Sequence, residues 1–196
     1  MSARPRVSGG SKAPARHDPR RGYARRGRQL PILPIAALAL AAIIAFFGLQ
    51  SLRLGAPGER IAVTGQGDHR SEGAALQYSS VPPASGPHWN AVAPWGISTT
   101  PVRDEIAVHN LEHGGVVVSH NLIAQADLDR LRGLLTSYPR DRYGQVKLLI
   151  RPYDGIPAGT FVLTAWGWKQ SFTSYDEAAV RAFMDAHLNK CCENVP

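Results

Sequence analysis

The sequence has little cysteine: its 196 residues include only Cys191 and Cys192, which are adjacent and lie near the end of the chain. Such a pair is not a disulfide framework, and no Cys-x-x-Cys motif is present. A vicinal disulfide, a pair of metal ligands and two ordinary thiols are all open interpretations, and we favour the two thiols.

Several other motifs with a known chemistry are absent. No glycine-rich loop of the kind that cradles phosphate groups occurs in the chain. Neither Ser85 nor Ser119 lies in a Gly-x-Ser-x-Gly motif, so a serine nucleophile is not indicated. The chain also lacks an internal repeat, and its length suits one ordinary domain with extensions.

Acidic residues are scarce at the start of the chain, where basic residues are concentrated. The formal net charge is +7, but the first 28 residues hold nine of the 22 lysines and arginines and only one acid, Asp18. The rest of the chain is nearly neutral, so we expect no nucleic acid partner. Residues 1–29 have almost no apolar side chains, which predicts a disordered, basic cytoplasmic tail.

An uncharged apolar stretch follows this tail. Residues 30–49 carry no charge, and as a helix they would span roughly the 30 Å of a bilayer core. We therefore predict one transmembrane helix over residues 30–52, with the lipid bilayer as a partner; a cleaved signal peptide is the alternative. Because arginine-rich flanks stay inside, we expect a single-pass cell membrane protein with a cytoplasmic N-terminus and an extracytoplasmic C-terminal domain.

The remaining chain is predicted to form a stalk or linker over residues 53–75 and a globular domain over residues 76–196. Hydrophobic periodicity in the C-terminal half indicates the order β-α-β-β-α. The expected fold is therefore α+β, a small sheet with helices covering one face, preceded by the transmembrane helix. The elements predicted are strands at 116–120, 145–153 and 160–172, and helices at 127–138 and from Ser174 onward.

Candidate metal ligands are concentrated in the segment His109-Asn110-Leu111-Glu112-His113-Gly114. On a helix, His109 and His113 share one face, and Glu112 lies three residues after His109, so together they can chelate a divalent ion. His88, held in a proline-flanked loop, is the expected third histidine. Imidazoles suit copper and zinc. We predict a copper or zinc site formed by His88, His109 and His113, with Glu112 as fourth ligand or hydrogen-bonding support. The expected supporting residues are Ser85, Trp89, Asn110 and Gly114.

The same residues have two other interpretations. His-x-x-Glu-His is the signature of inverted zinc peptidases, which suggests a small zinc-dependent hydrolase, although two glycines end the run early. Alternatively, the His and Glu side chains form a buried network without metal, in a non-catalytic accessory subunit of a membrane complex. We expect metal holding, delivery or sensing rather than catalysis.

Three motifs occur in a fixed order: PPASGPH at residues 82–88, HNLEHG at 109–114 and AWG at 165–167. They resemble the signatures PPxSGPH, HNLEHG and AWG of a bacterial, membrane-anchored family known only as a domain of unknown function. The resemblance covers roughly residues 76–187. It implies a single-pass membrane protein with an extracytoplasmic domain, and it implies no activity.

Overall fold

The computed structural model describes residues 10, 38, 40–44, 55–193, 195 and 196. The chain divides into two units, residues 1–50 and residues 51–196. The strands and helices of the second unit follow in chain order. They are β1 (Glu59–Arg60), β2 (His69–Arg70), β3 (His88–Trp89), β4 (Gly96–Ile97), α1 (Asp104–Glu112), β5 (Val116–Asn121), α2 (Gln125–Ser137), β6 (Leu148–Pro152), β7 (Thr160–Ala165), β8 (Trp168–Phe172) and α3 (Glu177–His187).

Six of these strands form one mixed sheet in the order β1-β8-β7-β5-β6-β4. Strand β6 runs parallel to both β5 and β4, whereas the other neighbouring strands are antiparallel. The two remaining strands, β2 and β3, form a separate parallel pair. This small pair contains two histidines, His69 and His88, in direct register.

The central strand β5 is buried on both of its faces, because successive side chains of a strand point to opposite sides. Val116 and Val118 pack with Leu131 of α2 and Phe183 of α3. Val117 packs on the other side, in a second apolar cluster. That cluster contains Ala93, Ala107, Val108, Leu111, Leu149 and Trp166. Helix α1 therefore covers one face of the sheet, and α2 and α3 cover the other.

The predicted fold class is wrong in its sheet and its layers. Residues 160–172 form two strands that turn at Gly167, where φ is +75°, so the order from Val116 is β-α-β-β-β-α. Helices cover both faces rather than one, as a continuous apolar run such as Val116–Val118 requires. The two-residue strands β1 and β4 extend the sheet to six, and such short strands carry no detectable periodicity.

The predicted membrane helix is also contradicted. No helix in the described part of the chain is long and apolar enough to cross a bilayer. A crossing needs about 20 helical residues, whereas only residues 38 and 40–44 of the predicted span are described, all of them helical. This finding overturns the expected single-pass location, with a cytoplasmic N-terminus and an extracytoplasmic domain. The rest of residues 30–52, and the tail except Gly10, lie outside the described residues.

A buried arginine attaches the start of helix α1 to the sheet. The guanidinium of Arg151, on β6, donates to the carbonyl of Val102 at 2.6 Å, to Oδ1 of Asp104 at 2.6 Å and to Oγ of Ser119 at 3.0 Å. The hydroxyl of Tyr153 donates to Oδ2 of Asp104 at 3.0 Å. Arg151 is 1% exposed, so its charge depends on these acceptors.

Replacing Asp104 tests this attachment. Asp104→Asn should lower the free energy of unfolding by about 2–3 kcal/mol, because the buried guanidinium loses its only carboxylate among the described residues. Asp129→Asn is the matched control: Asp129 pairs with Arg132 on the solvent side of α2, and its loss should cost less than about 0.5 kcal/mol. Urea unfolding measures both, and equal losses would show that Arg151 does not depend on Asp104.

Candidate metal centre

Helix α1 presents two of the predicted ligands from one face. His109 and Glu112 are three residues apart, which places their side chains next to each other on the same face of the helix. Both are buried, with His109 6% exposed and Glu112 fully buried. The helix ends at Glu112, so the two residues lie in its last turn.

Strand β3 contributes a third residue, His88, which the preceding loop holds in place. His88 is fully buried, and its Nδ1 donates to the carbonyl of Gly86 at 3.0 Å. Gly86 has a φ of +142°, and a Cβ there would lie 2.7 Å from the ring of Tyr78. The hydroxyl of Tyr78 donates to the carbonyl of Pro87 at 3.0 Å. This packing holds the histidine in one orientation.

A fourth residue, His69, completes the cluster. Its strand β2 pairs in parallel with β3, with His69 directly opposite His88, and the two ring centroids lie 4.7 Å apart. One ligand atom from each of His69, His88, His109 and Glu112 can be chosen so that all four lie within 4.8 Å of one another. This His/Glu cluster is close enough to hold a metal ion.

The backbone determines which nitrogen of each buried imidazole faces the cluster. Nδ1 of His109 donates to the carbonyls of Trp89 and Ala91, at 2.9 and 3.2 Å, as Nδ1 of His88 does to Gly86. Carbonyl oxygens only accept, so both Nδ1 atoms carry a proton, and in both residues Nε2 is the nitrogen left to face the cluster. Burial, aided by the neighbouring imidazoles, lowers the pKa of His109 to about 4. His109 is therefore neutral at physiological pH, the form that binds metal.

Glu112 divides its two oxygens between the backbone and the cluster. Oε1 accepts a hydrogen bond from the N–H of Gly67 at 2.6 Å. Oε2 lies 3.0 Å from Nε2 of His88 and 3.6 Å from Nε2 of His69. Neither Oε2 of Glu112 nor Nε2 of His88 makes a hydrogen bond to any described residue. The two atoms are close together, but their angles do not fit a hydrogen bond. Two buried polar atoms without a hydrogen-bond partner among the described residues thus lie next to each other.

The distances between the candidate ligand atoms suit a small ion with tetrahedral coordination. Ligand atoms about 2.0–2.1 Å from a zinc ion lie about 3.3 Å from one another in a tetrahedron. The separation between Nε2 of His69 and Nε2 of His109 is 3.3 Å. Oε2 of Glu112 is 3.0 Å from Nε2 of His88 and 3.6 Å from Nε2 of His69. The widest ligand pair, within 4.8 Å, needs a small inward movement.

His113, the other predicted histidine, lies beside the cluster and outside it. Its ring contacts that of His109, with centroids 4.5 Å apart. Its nitrogens, however, face the end of the chain: Nδ1 lies 3.1 Å from the carbonyl of Pro196 and Nε2 3.8 Å from a carboxylate oxygen of Glu193. Glu112 occupies the ligand position instead, so the arrangement differs from an inverted zinc peptidase, in which both histidines bind the metal.

The four predicted supporting residues each contact the backbone of another segment. The Asn110 side chain makes two hydrogen bonds to the backbone of Ala93, each of 2.9 Å. Ser85 donates to the carbonyl of Ala62. Trp89 donates through Nε1 to the carbonyl of Ala74. Gly114 has a φ of +79°, and a Cβ there would lie 2.2 Å from the carbonyl oxygen of Cys191.

The segment after α3 wraps the C-terminal end of the ligand helix. The N–H groups of Cys192 and Glu193 both donate to the carbonyl of Glu112, at 3.2 and 3.0 Å. The N–H of Asn189 donates to the carbonyl of Gly114 at 2.8 Å. Cys191 and Cys192 are joined in a disulfide, not the two thiols that we favoured. The hydrogen bonds from Cys192, Glu193 and Asn189 satisfy carbonyl groups at and just beyond the end of α1 that would otherwise be unpaired.

The sequence analysis missed His69, which lies in the stretch predicted as a stalk or linker. Its neighbourhood is glycine-rich and polar, and periodicity gives no reason to place it near His88. The one available signal was composition, since His69 is among only seven histidines in the chain. Pairing of β2 with β3 brings it into the cluster.

Replacing Asn110 tests how the segment around Ala93 is held against helix α1. Asn110→Leu keeps the side-chain volume but leaves the N–H and carbonyl of Ala93 without their partner. We expect the free energy of unfolding to fall by about 2–3 kcal/mol. Asn90→Leu, the same change at an exposed position nearby, should change it by less than about 0.5 kcal/mol. Similar losses in chemical denaturation would contradict an anchoring role.

Comparison with known proteins gives a family but no activity. Residues 69–194 match a family described as "Protein of unknown function (DUF3105)". A search found no match among curated proteins or solved structures. The matched segment begins at His69 and includes all four cluster residues. Because this match extends over more than half of the chain, the protein belongs to the DUF3105 family.

Proposed function

We propose that this protein binds one divalent transition-metal ion, zinc or copper, through His69, His88, His109 and Glu112. The role that fits such a site is to hold, deliver or sense the metal. His113 is not included, because its nitrogens face Pro196 and Glu193.

The observation that carries the proposal is the contact between Nε2 of His88 and Oε2 of Glu112. Both side chains are fully buried, the atoms are 3.0 Å apart, and neither has a hydrogen-bond partner among the described residues. The Gly86 carbonyl keeps a proton on Nδ1 of His88, so a neutral His88 would direct the lone pair of Nε2 at Oε2 of Glu112. Burying such atoms is costly unless a cation lies between them.

The ligand types favour zinc or copper over other common ions. Three imidazoles are nitrogen ligands that suit zinc and copper, and zinc also accepts a carboxylate oxygen, whereas magnesium and calcium prefer oxygen alone. Backbone carbonyls accept hydrogen bonds from Nδ1 of His88 and His109 and orient the rings, as such carbonyls commonly do for the far nitrogen of a metal-bound histidine. The N–H of Gly67 orients Glu112 in the same way.

The number of ligands supports holding the metal rather than hydrolysis. Structural zinc sites have four protein ligands, whereas catalytic sites leave one position for water. Four side chains converge here, which matches the closed type. In addition, Glu112 supplies a ligand atom, so it does not serve as the general base that a His-x-x-Glu-His hydrolase requires.

Metal content is the direct test. The full chain, purified without chelator or histidine tag, should carry about one zinc or copper ion by elemental mass spectrometry. His88→Ala and His109→Ala should lose the metal, because each removes a buried ligand. His113→Ala should retain it, as should His120→Ala, a control for removing a histidine outside the cluster.

The opposite result would identify a structural network. If the wild-type chain binds neither metal after reconstitution with zinc and copper, the proposed function is wrong. The cluster would then be a set of buried polar contacts, as expected for a non-catalytic accessory subunit. Loss of metal in His113→Ala with retention in His88→Ala would refute the assigned ligand set.

Glu112→Gln separates the two interpretations by the sign of its effect. Without metal, the amide removes a buried charge, and its NH₂ group can donate to Nε2 of His88. We expect the free energy of unfolding of the metal-free protein to rise by about 1–2 kcal/mol. With saturating zinc, the stabilisation seen in the wild type should largely disappear, because stabilisation follows affinity. Thermal and urea unfolding with chelator and with zinc measure both effects.

Glu105→Gln on the same helix is the matched control. Glu105 is also buried, but both its oxygens accept from Arg103, so its charge is compensated. This change should weaken the metal-free protein slightly and leave the zinc response intact. If Glu112→Gln destabilises the metal-free protein as well, Glu112 is a satisfied network member and not a metal ligand.

A further inference from the structure

The four cluster side chains differ in their access to solvent. His88 and Glu112 are fully buried, and His109 is 6% exposed. The side chain of His69 is 35% exposed. Three ligands therefore close the site from the interior, and the fourth lies at the surface. A metal ion arriving from solvent meets His69 first.

The ligands also differ in how firmly they are oriented. Backbone carbonyls accept from Nδ1 of both His88 and His109. Within the described part of the chain, no carbonyl does the same for Nδ1 of His69. Metal-binding histidines depend on such partners for their orientation and affinity. His69 is thus the ligand that is most easily displaced.

The segment that carries His69, residues 67–70, is short and includes an exposed two-residue strand. Strand β2 has two residues, His69 and Arg70, and both are exposed. Residues 67–70 contact the interior through the pairing of β2 with β3, through the carbonyl of Asp68, which accepts from the N–H of His88 at 3.1 Å, through the N–H of Gly67, and through Nε2 of His69, which lies 3.3 Å from Nε2 of His109. Regions with few buried contacts open at the lowest free-energy cost.

Movement of this segment would change the site in two linked ways. It would withdraw Nε2 of His69, and it would free Oε1 of Glu112 from the N–H of Gly67. Both oxygens of Glu112 would then face the ion, while His88 and His109 stay on their carbonyls. The ion would remain bound by two imidazoles and a carboxylate, with one coordination position open.

We infer that His69 is the exchange ligand of this site, and that the metal enters and leaves through the face it occupies. This inference rests on the proposed metal function. The bond from the ion to Nε2 of His69 breaks as a bond to the incoming donor forms, and the neutral imidazole leaves without a change in the metal's charge. The fitting partner is a metal donor or acceptor that presents one imidazole nitrogen through the opening.

Metal transfer to a chromogenic chelator tests this assignment. The full chain is loaded with zinc, desalted and mixed with 4-(2-pyridylazo)resorcinol in a stopped-flow instrument, and zinc release is followed over time. The variants are His69→Ala, His88→Ala and His120→Ala, the last being the control outside the cluster. Circular dichroism checks that each variant is folded.

The expected result is a graded set of rates. His69→Ala should retain zinc after desalting but release it more than about tenfold faster than the wild type. The reason is that the coordination position occupied by His69 in the wild type is then open to the chelator. Added free imidazole should slow that release toward the wild-type rate, since the exposed position admits it. His88→Ala should be empty and should not respond to imidazole, and His120→Ala should match the wild type.

Three outcomes would overturn the inference. Wild-type release kinetics in His69→Ala would show that His69 is not a ligand. Complete loss of zinc in His69→Ala, with no recovery in imidazole, would make it equivalent to the buried ligands. Zinc release from His69→Ala that imidazole does not slow would mean that the open position does not accept an external donor. A wild-type chain without metal would instead refute the proposed function itself.

Discussion

The structure depends on one electrostatic constraint, the burial of the Glu112 carboxylate against the imidazoles of His88 and His69. A buried carboxylate needs compensation, and the backbone supplies only half of it through the N–H of Gly67. The second oxygen faces Nε2 of His88 without a hydrogen bond. The proposed metal ion would supply positive charge at this point, and the backbone carbonyls that bind Nδ1 of His88 and His109 leave Nε2 of both rings facing it.

The surrounding fold holds the parts of this site at fixed positions. Helix α1 lies on one face of the sheet, anchored at its start by Arg151 and wrapped at its end by the segment around Cys192. Asn110 ties the same helix to the loop that leads from β3. The ligands from α1 and β3 are therefore rigid, while His69 lies on an exposed two-residue strand. In the proposed metal site, this difference would separate retention of the metal from its exchange.

The sequence was informative about the ligands that lie within its recognisable motifs. His88, His109 and Glu112 were predicted together, because spacing on a helix and a proline-flanked loop are local properties. His113 was included for the same reason, but helix α1 ends at Glu112, and the ring faces Pro196 and Glu193 instead. Helical spacing alone does not reveal where a helix stops or what packs beyond its end.

By itself, the sequence determined the amphipathic helix around Leu131, the buried strand at Val116 and the concentration of histidines near Glu112, since local patterns encode these features. It did not determine the six-stranded sheet, the helices on both faces or the absence of a membrane-spanning helix among the described residues. Only the tertiary structure brought His69 beside His88, across residues with no periodic signal. The physical reason is that pairing between two-residue strands depends on the packing around them and not on their own sequence.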